Sequence, residues 1–222
     1  MRAGRARCQG SNDEDGRAGG AAESYFETHA YPLKLRSMTI RNTTSRWGGV
    51  AQFLHWLIVG LIITQVILAN VAERLPVSPK KIAVFARHKS IGITILCLAV
   101  LRLAWRWANP TPPLPTTLKP YERVLAELTH AGLYLLLFAM PLTGWMMTSA
   151  RGFPVSWFGF WQLPDFVPKN QSLYNAMKQT HDTLALALYA IVFLHVAAAL
   201  KHHFVLKDDV LRRMLPVTKK PR

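Results

Sequence analysis

The sequence predicts an all-α fold, a four-helix transmembrane bundle with both termini cytoplasmic and a disordered N-terminal tail ahead of it. Three observations predict it. Four apolar runs, each about 20 residues long, match the length a helix needs to cross a bilayer core. The cations of a chain with formal charge +15 flank those runs instead of forming a basic domain. Histidines stand at two depths within or beside the runs, where a polar ring needs a partner.

Residues 1–37 come first and differ from the rest. They are rich in Arg, Gly, Ala, Asp and Glu, with six cations against five anions and no periodic apolar face. That composition predicts disorder. The segment lacks the apolar core of a secretory signal. Met38 begins MTIRNTTSRWG and offers an alternative start, so residues 1–37 are expected to be a mis-called extension or a dispensable tail. Residues 38–222 are expected to form the transmembrane domain.

The spans are predicted over about Val50–Ala72, Ser90–Ala108, Val124–Thr148 and Asp182–Val205. Helices are required, because lipid offers no partner to an unpaired backbone group. Trp47, Trp56, Trp105, Trp107 and Trp145 fall toward span ends, as interfacial anchors do. Between spans two and three, NPTPPLP at Asn109–Pro115 cannot be helical and predicts a stiff inner turn. The third connection, Arg151–Thr180, sets Phe153, Trp157, Phe158, Phe160, Trp161 and Phe166 among Gly and Pro. It is expected to lie on the outer surface as a lid or a plain interfacial loop, while Pro141 is expected to bend span three.

Charge fixes the expected orientation. Thirteen cations would share the side of the N-terminal flank, second connection and C-terminal tail, against eight on the other side. That bias predicts both ends in the cytoplasm of a bacterial inner membrane. Nucleic acid is excluded as a partner, since no polar segment large enough for a separate phosphate-binding domain remains.

The histidines carry the chemistry. His181 and His195 are 14 residues apart, nearly four whole turns, so both leave one helical face about 21 Å apart. His55 in span one shares the inner half with His195, and His88 before span two shares the outer edge with His181. A lone histidine at a span end is equally well explained as interfacial, and one within a span by a single interhelical hydrogen bond. Two pairs at matched depths point further, to bis-imidazole ligation of two haem irons, an arrangement for electron transfer with no open iron position. His130, in the inner half of span three, is the rival ligand. Cys8 and Cys97 belong to no C-x-x-C-H motif, which excludes covalent haem attachment. No thiolate or carboxylate cluster accompanies the imidazoles, which disfavours zinc.

The stretches RWGGVAQFLHW at Arg46–Trp56, RHKSIGITILCLAVLRLAWR at Arg87–Arg106, the NPTPP turn, GLYLLLFAMPLTGWMM at Gly132–Met147 and HDTLALALYAIVFLHVAAALKHHF from His181 resemble bacterial cytochrome b561. The resemblance covers essentially everything after Thr44. It implies that His55 and His195 hold one haem b and His88 and His181 the other, with His130 in a supporting role. Some members oxidise superoxide at the periplasmic face and reduce ubiquinone, so the resemblance implies an oxidoreductase with those two substrates.

Neighbouring residues add expectations. Arg102 and Arg106 at the inner end of span two are candidates for haem propionates or for lipid phosphates. His202 and Arg46 mark where a quinone would meet the inner end. Lys80, Lys81, Arg87 and Lys89 would draw an anion such as superoxide to the outer end, or simply meet lipid headgroups. The alternatives are a haem b anchor conducting electrons for a partner dehydrogenase or hydrogenase, and quinol oxidation delivering electrons outward to a periplasmic redox protein.

Overall fold

The computed structural model describes residues 40–115 and 118–215; the predicted tail over 1–37 lies outside them. Four helices follow in order, α1 Gly49–Arg74, α2 Pro79–Ala108, α3 Pro120–Arg151 and α4 Gln171–Leu200. All four are long and apolar enough to cross a membrane. α1 packs on α2, α2 on α3 and α3 on α4. Large apolar side chains such as Ile63, Leu101, Leu135 and Phe193 stay exposed on the outside of the bundle, as lipid-facing residues do.

Two helices begin earlier than the apolar runs do. Ser78 caps α2, its hydroxyl accepting from the Lys81 amide at 3.4 Å, and Pro79 occupies the first turn, where a missing N–H costs nothing. Asn170 caps α4 the same way, accepting from the Leu173 amide at 3.0 Å. His88 and His181 therefore sit inside helices rather than just ahead of them, each held by turns on both sides. α3 runs as helix through Pro141.

The aromatic third connection holds a two-stranded antiparallel hairpin, β1 Val155–Trp157 and β2 Trp161–Leu163, where only a loop or lid was expected. Its turn places Phe158 at φ 49° and Gly159 at φ 83°. Two successive positive φ values are what a tight hairpin turn requires, and Phe158 adopts a conformation that costs a side-chain-bearing residue about 1–2 kcal/mol. The hairpin is fastened to α2. Ser90, only 2% exposed, accepts the Phe158 amide at 3.0 Å and lies 3.0 Å from the Ser156 carbonyl, while Trp157 Nε1 donates to Thr94 Oγ1 at 3.1 Å.

The opposite end is closed by three segments. Asn42 donates to the Pro110 carbonyl at 3.0 Å and accepts the Gly48 amide at 2.9 Å, tying the approach to α1 onto the Asn-Pro turn. Gly48 must lack a side chain, because a Cβ there would stand 2.4 Å from the Arg41 carbonyl carbon. Three consecutive C-terminal carbonyls are then taken by α1 and its flank. Gln52 donates to Arg213, Trp56 to Met214 and Arg46 to Leu215, at 3.1, 2.9 and 2.8 Å.

Candidate functional site

Antiparallel packing sorts the histidines into two layers. Arg102 of α2 donates to the Ala51 carbonyl of α1 at 3.3 Å, and Gln65 of α1 donates to the His88 carbonyl of α2 at 2.9 Å. Each helix then carries two layer positions 14 residues apart: Ala51 and Gln65, His88 and Arg102, His130 and Gly144, His181 and His195. Along a helix that separation is about 21 Å.

The layer nearer the chain ends, called inner below and the other outer, gathers His55, His130 and His195. The His55 and His195 ring centres are 6.3 Å apart with planes at 71°, and those of His130 and His195 are 5.4 Å apart. α1 and α4 are not among the closely packed helix pairs, so the His55–His195 approach spans the bundle interior. An imidazole–metal bond of about 2.0 Å, plus about 1.1 Å from nitrogen to ring centre, sets two imidazoles on opposite faces of one metal about 6.2 Å apart. The His55–His195 spacing meets that requirement and the His130–His195 spacing falls short of it.

Arg102 enters the same layer. Among the described residues its guanidinium meets a backbone carbonyl and Tyr134 but no carboxylate, leaving donors available to an anion such as a propionate. Arg106, one turn further on, lies 5.7 Å from the centre of the Tyr134 ring.

The outer layer holds His88 of α2 and His181 of α4. Among the described residues His88 Nδ1 is buried without a hydrogen-bond partner. His181 Nδ1 meets Thr143 Oγ1 at 3.1 Å, and a Cβ at Gly144 would come within 3.2 Å of the His181 ring. The histidines of each layer come from different helices, and no group of three or more His, Cys, Asp or Glu side chains arranged to hold a bare metal ion occurs among the described residues. Paired imidazoles with no supporting anionic ligands suit a metal that brings its own equatorial ligands, as haem iron does, so the residues present fit the group.

At the inner end His202 Nδ1 pairs with Asp208 Oδ2 at 2.5 Å. It lies on the π-helical turn Lys201–Val205 that follows α4. Arg46 is committed to the Leu215 carbonyl through Nη2. Gln65, Thr143, Gly144 and Asp208 were not singled out in the sequence. The signal for Gly144 was present, since it repeats on α3 the 14-residue spacing of the α4 histidines; Thr143 and Gln65 carry no such signal.

Residues 46–217 match the family model described as prokaryotic cytochrome b561. The chain is 34% identical to cytochrome b561 homolog 2 of Escherichia coli strain K12 over 186 residues, covering 80% of this chain and 95% of that protein. It is 35% identical to the probable superoxide oxidase CybB of Yersinia pestis over 166 residues, 73% of this chain and 92% of that protein. Cytochrome b561 homolog 1 of Escherichia coli strain K12 is 29% identical over 177 residues, 78% of this chain and 98% of that protein.

Proposed function

This chain belongs to the prokaryotic cytochrome b561 family, b-type haem proteins of membrane electron transfer, and on that footing we propose that it is a superoxide:ubiquinone oxidoreductase. It is a multi-pass protein of the bacterial inner membrane. In this reading His55 with His195, and His88 with His181, hold two haem b groups, and both chain ends face the cytoplasm. When bound, the haems supply one-electron carriers at two depths.

The observation that carries the reading is the 6.3 Å spacing of His55 and His195 across a bundle in which α1 and α4 do not pack closely. Similarity to a protein named a probable superoxide oxidase supports the choice of donor. Two superoxide anions each give up one electron and leave as dioxygen; one ubiquinone takes two electrons and two protons from the cytoplasm to become ubiquinol. Lys80, Lys81, Arg87 and Lys89 raise the local concentration of the anionic substrate at the outer end. Arg102, with Arg106 beside it, neutralises propionate at the inner layer. At the inner end His202, paired through Nδ1 with Asp208, marks where the quinone meets the bundle. Arg46 holds the C-terminal segment over this region.

Stopped-flow absorbance of the oxidised haem protein tests this, with superoxide and ubiquinol mixed separately while the α-band is followed. Rapid reduction by superoxide, reversed by ubiquinone, is the expected result. Reduction by ubiquinol alone would overturn it and direct the search to a periplasmic acceptor or a partner subunit.

A further inference from the structure

The structure assigns Thr143 as a positioning residue that fixes the tautomer of His181, and so the electron-donating strength of one ligand of the outer layer; this rests on the reading of His181 as a haem ligand. Thr143 Oγ1 has three neighbours. It lies 2.8 Å from the Ala139 carbonyl, 3.0 Å from the Met140 carbonyl and 3.1 Å from His181 Nδ1. A hydroxyl has one proton, and a carbonyl oxygen can only accept. With the Thr143 proton on the shortest contact, to Ala139, the oxygen accepts toward His181. His181 Nδ1 then carries the ring hydrogen and Nε2 is left bare, with the Met140 backbone as a second partner of the ring beside the Thr143 hydroxyl.

That is the tautomer a ligand bonding through Nε2 needs. A ligating imidazole that donates its other N–H is held in orientation and made more basic, which favours the ferric state. Gly144 completes the seat. A Cβ there would lie 3.2 Å from His181 Cε1 and 3.5 Å from Nδ1, so a side chain would press the ring off the hydroxyl. Thr143 and Gly144 together thus set both the proton and the plane of the ring.

The outer layer is asymmetric as a result. Among the described residues His88 Nδ1 is buried with no hydrogen-bond partner and the His88 ring meets only the Gln65 backbone, whereas His181 also meets a side-chain hydroxyl. Control of the outer potential is concentrated on α3, a helix that supplies neither outer histidine. Thr143→Val keeps the shape and removes the acceptor, while Thr143→Ser keeps the acceptor.

The test is redox potentiometry with low-temperature electron paramagnetic resonance on purified haem-loaded protein. Thr143→Val is expected to raise one of the two midpoint potentials and shift one ferric signal, leaving the other haem as in the wild type. Retention of the outer haem against a competing apo-haem acceptor is expected to weaken by about 10- to 100-fold. Thr143→Ser should restore both readouts. Wild-type potentials and signals in Thr143→Val would overturn the assignment, as would a Thr143→Ser variant that behaves like Thr143→Val, including a case in which both lose haem. His181→Ala separates the underlying reading: if it keeps both haems, His181 is no ligand at all.

Discussion

The inner layer brings three histidines together where the proposed haem needs two ligands, and replacing them one at a time distinguishes them. His55→Ala is expected to lower the haem content from two per chain to one, whereas His130→Leu is expected to leave it at two. The magnitude follows from the ring positions. Trans imidazoles stand about 6.2 Å apart, centre to centre. His55 and His195 are at 6.3 Å and need almost no adjustment. His130 and His195, at 5.4 Å, would have to separate by about 0.8 Å on helices that pack directly against each other. Close-packed interiors resist displacement of that size. The assay is haem per chain by the pyridine haemochrome method, with a redox titration to show which component is lost. Loss of one haem in His130→Leu, with two retained in His55→Ala, would refute the assignment and make His130 the ligand.

Three further outcomes are expected. Ser90→Ala leaves the Phe158 amide without its acceptor, a loss of about 1–3 kcal/mol in hairpin anchoring. Hairpin amides should then exchange roughly 5- to 150-fold faster, and unchanged exchange would contradict the anchoring role. Gly48→Ala puts a methyl 2.4 Å from the Arg41 carbonyl carbon, and overpacking of about 1–3 kcal/mol should lower the thermal midpoint by about 2–12 °C; an unchanged midpoint would contradict the close approach. The rate of reduction by superoxide should fall as ionic strength rises from about 0.01 to 0.15 M, since the screening length shrinks from about 30 to 8 Å. A salt-independent rate would remove Lys80, Lys81, Arg87 and Lys89 from the account.

The bundle and its two histidine layers were legible in the sequence because lipid imposes simple rules. Apolar length marks a span, and a 14-residue interval marks one helical face at two depths. Helix ends were less legible. Hydropathy reports only the part of a helix in lipid, and the starts at Pro79 and Gln171 are set by Ser78 and Asn170, ordinary caps in polar sequence. The hairpin was hidden because its strands are three residues each and its turn puts Phe158, a residue with no preference for positive φ, in a left-handed conformation. Its register is specified from outside, by Ser90 and Thr94 on α2. The same holds for Thr143 and Gln65. A threonine or glutamine in an apolar span looks like any tolerated polar residue until a neighbouring helix brings a histidine against it.

The most direct test is the haem content of the purified wild-type chain together with its redox titration. Two haem b per chain, titrating as two one-electron components with low-spin ferric spectra, is the predicted result. One haem per chain, or a high-spin component that binds carbon monoxide in the reduced state, would contradict two layers of paired imidazoles.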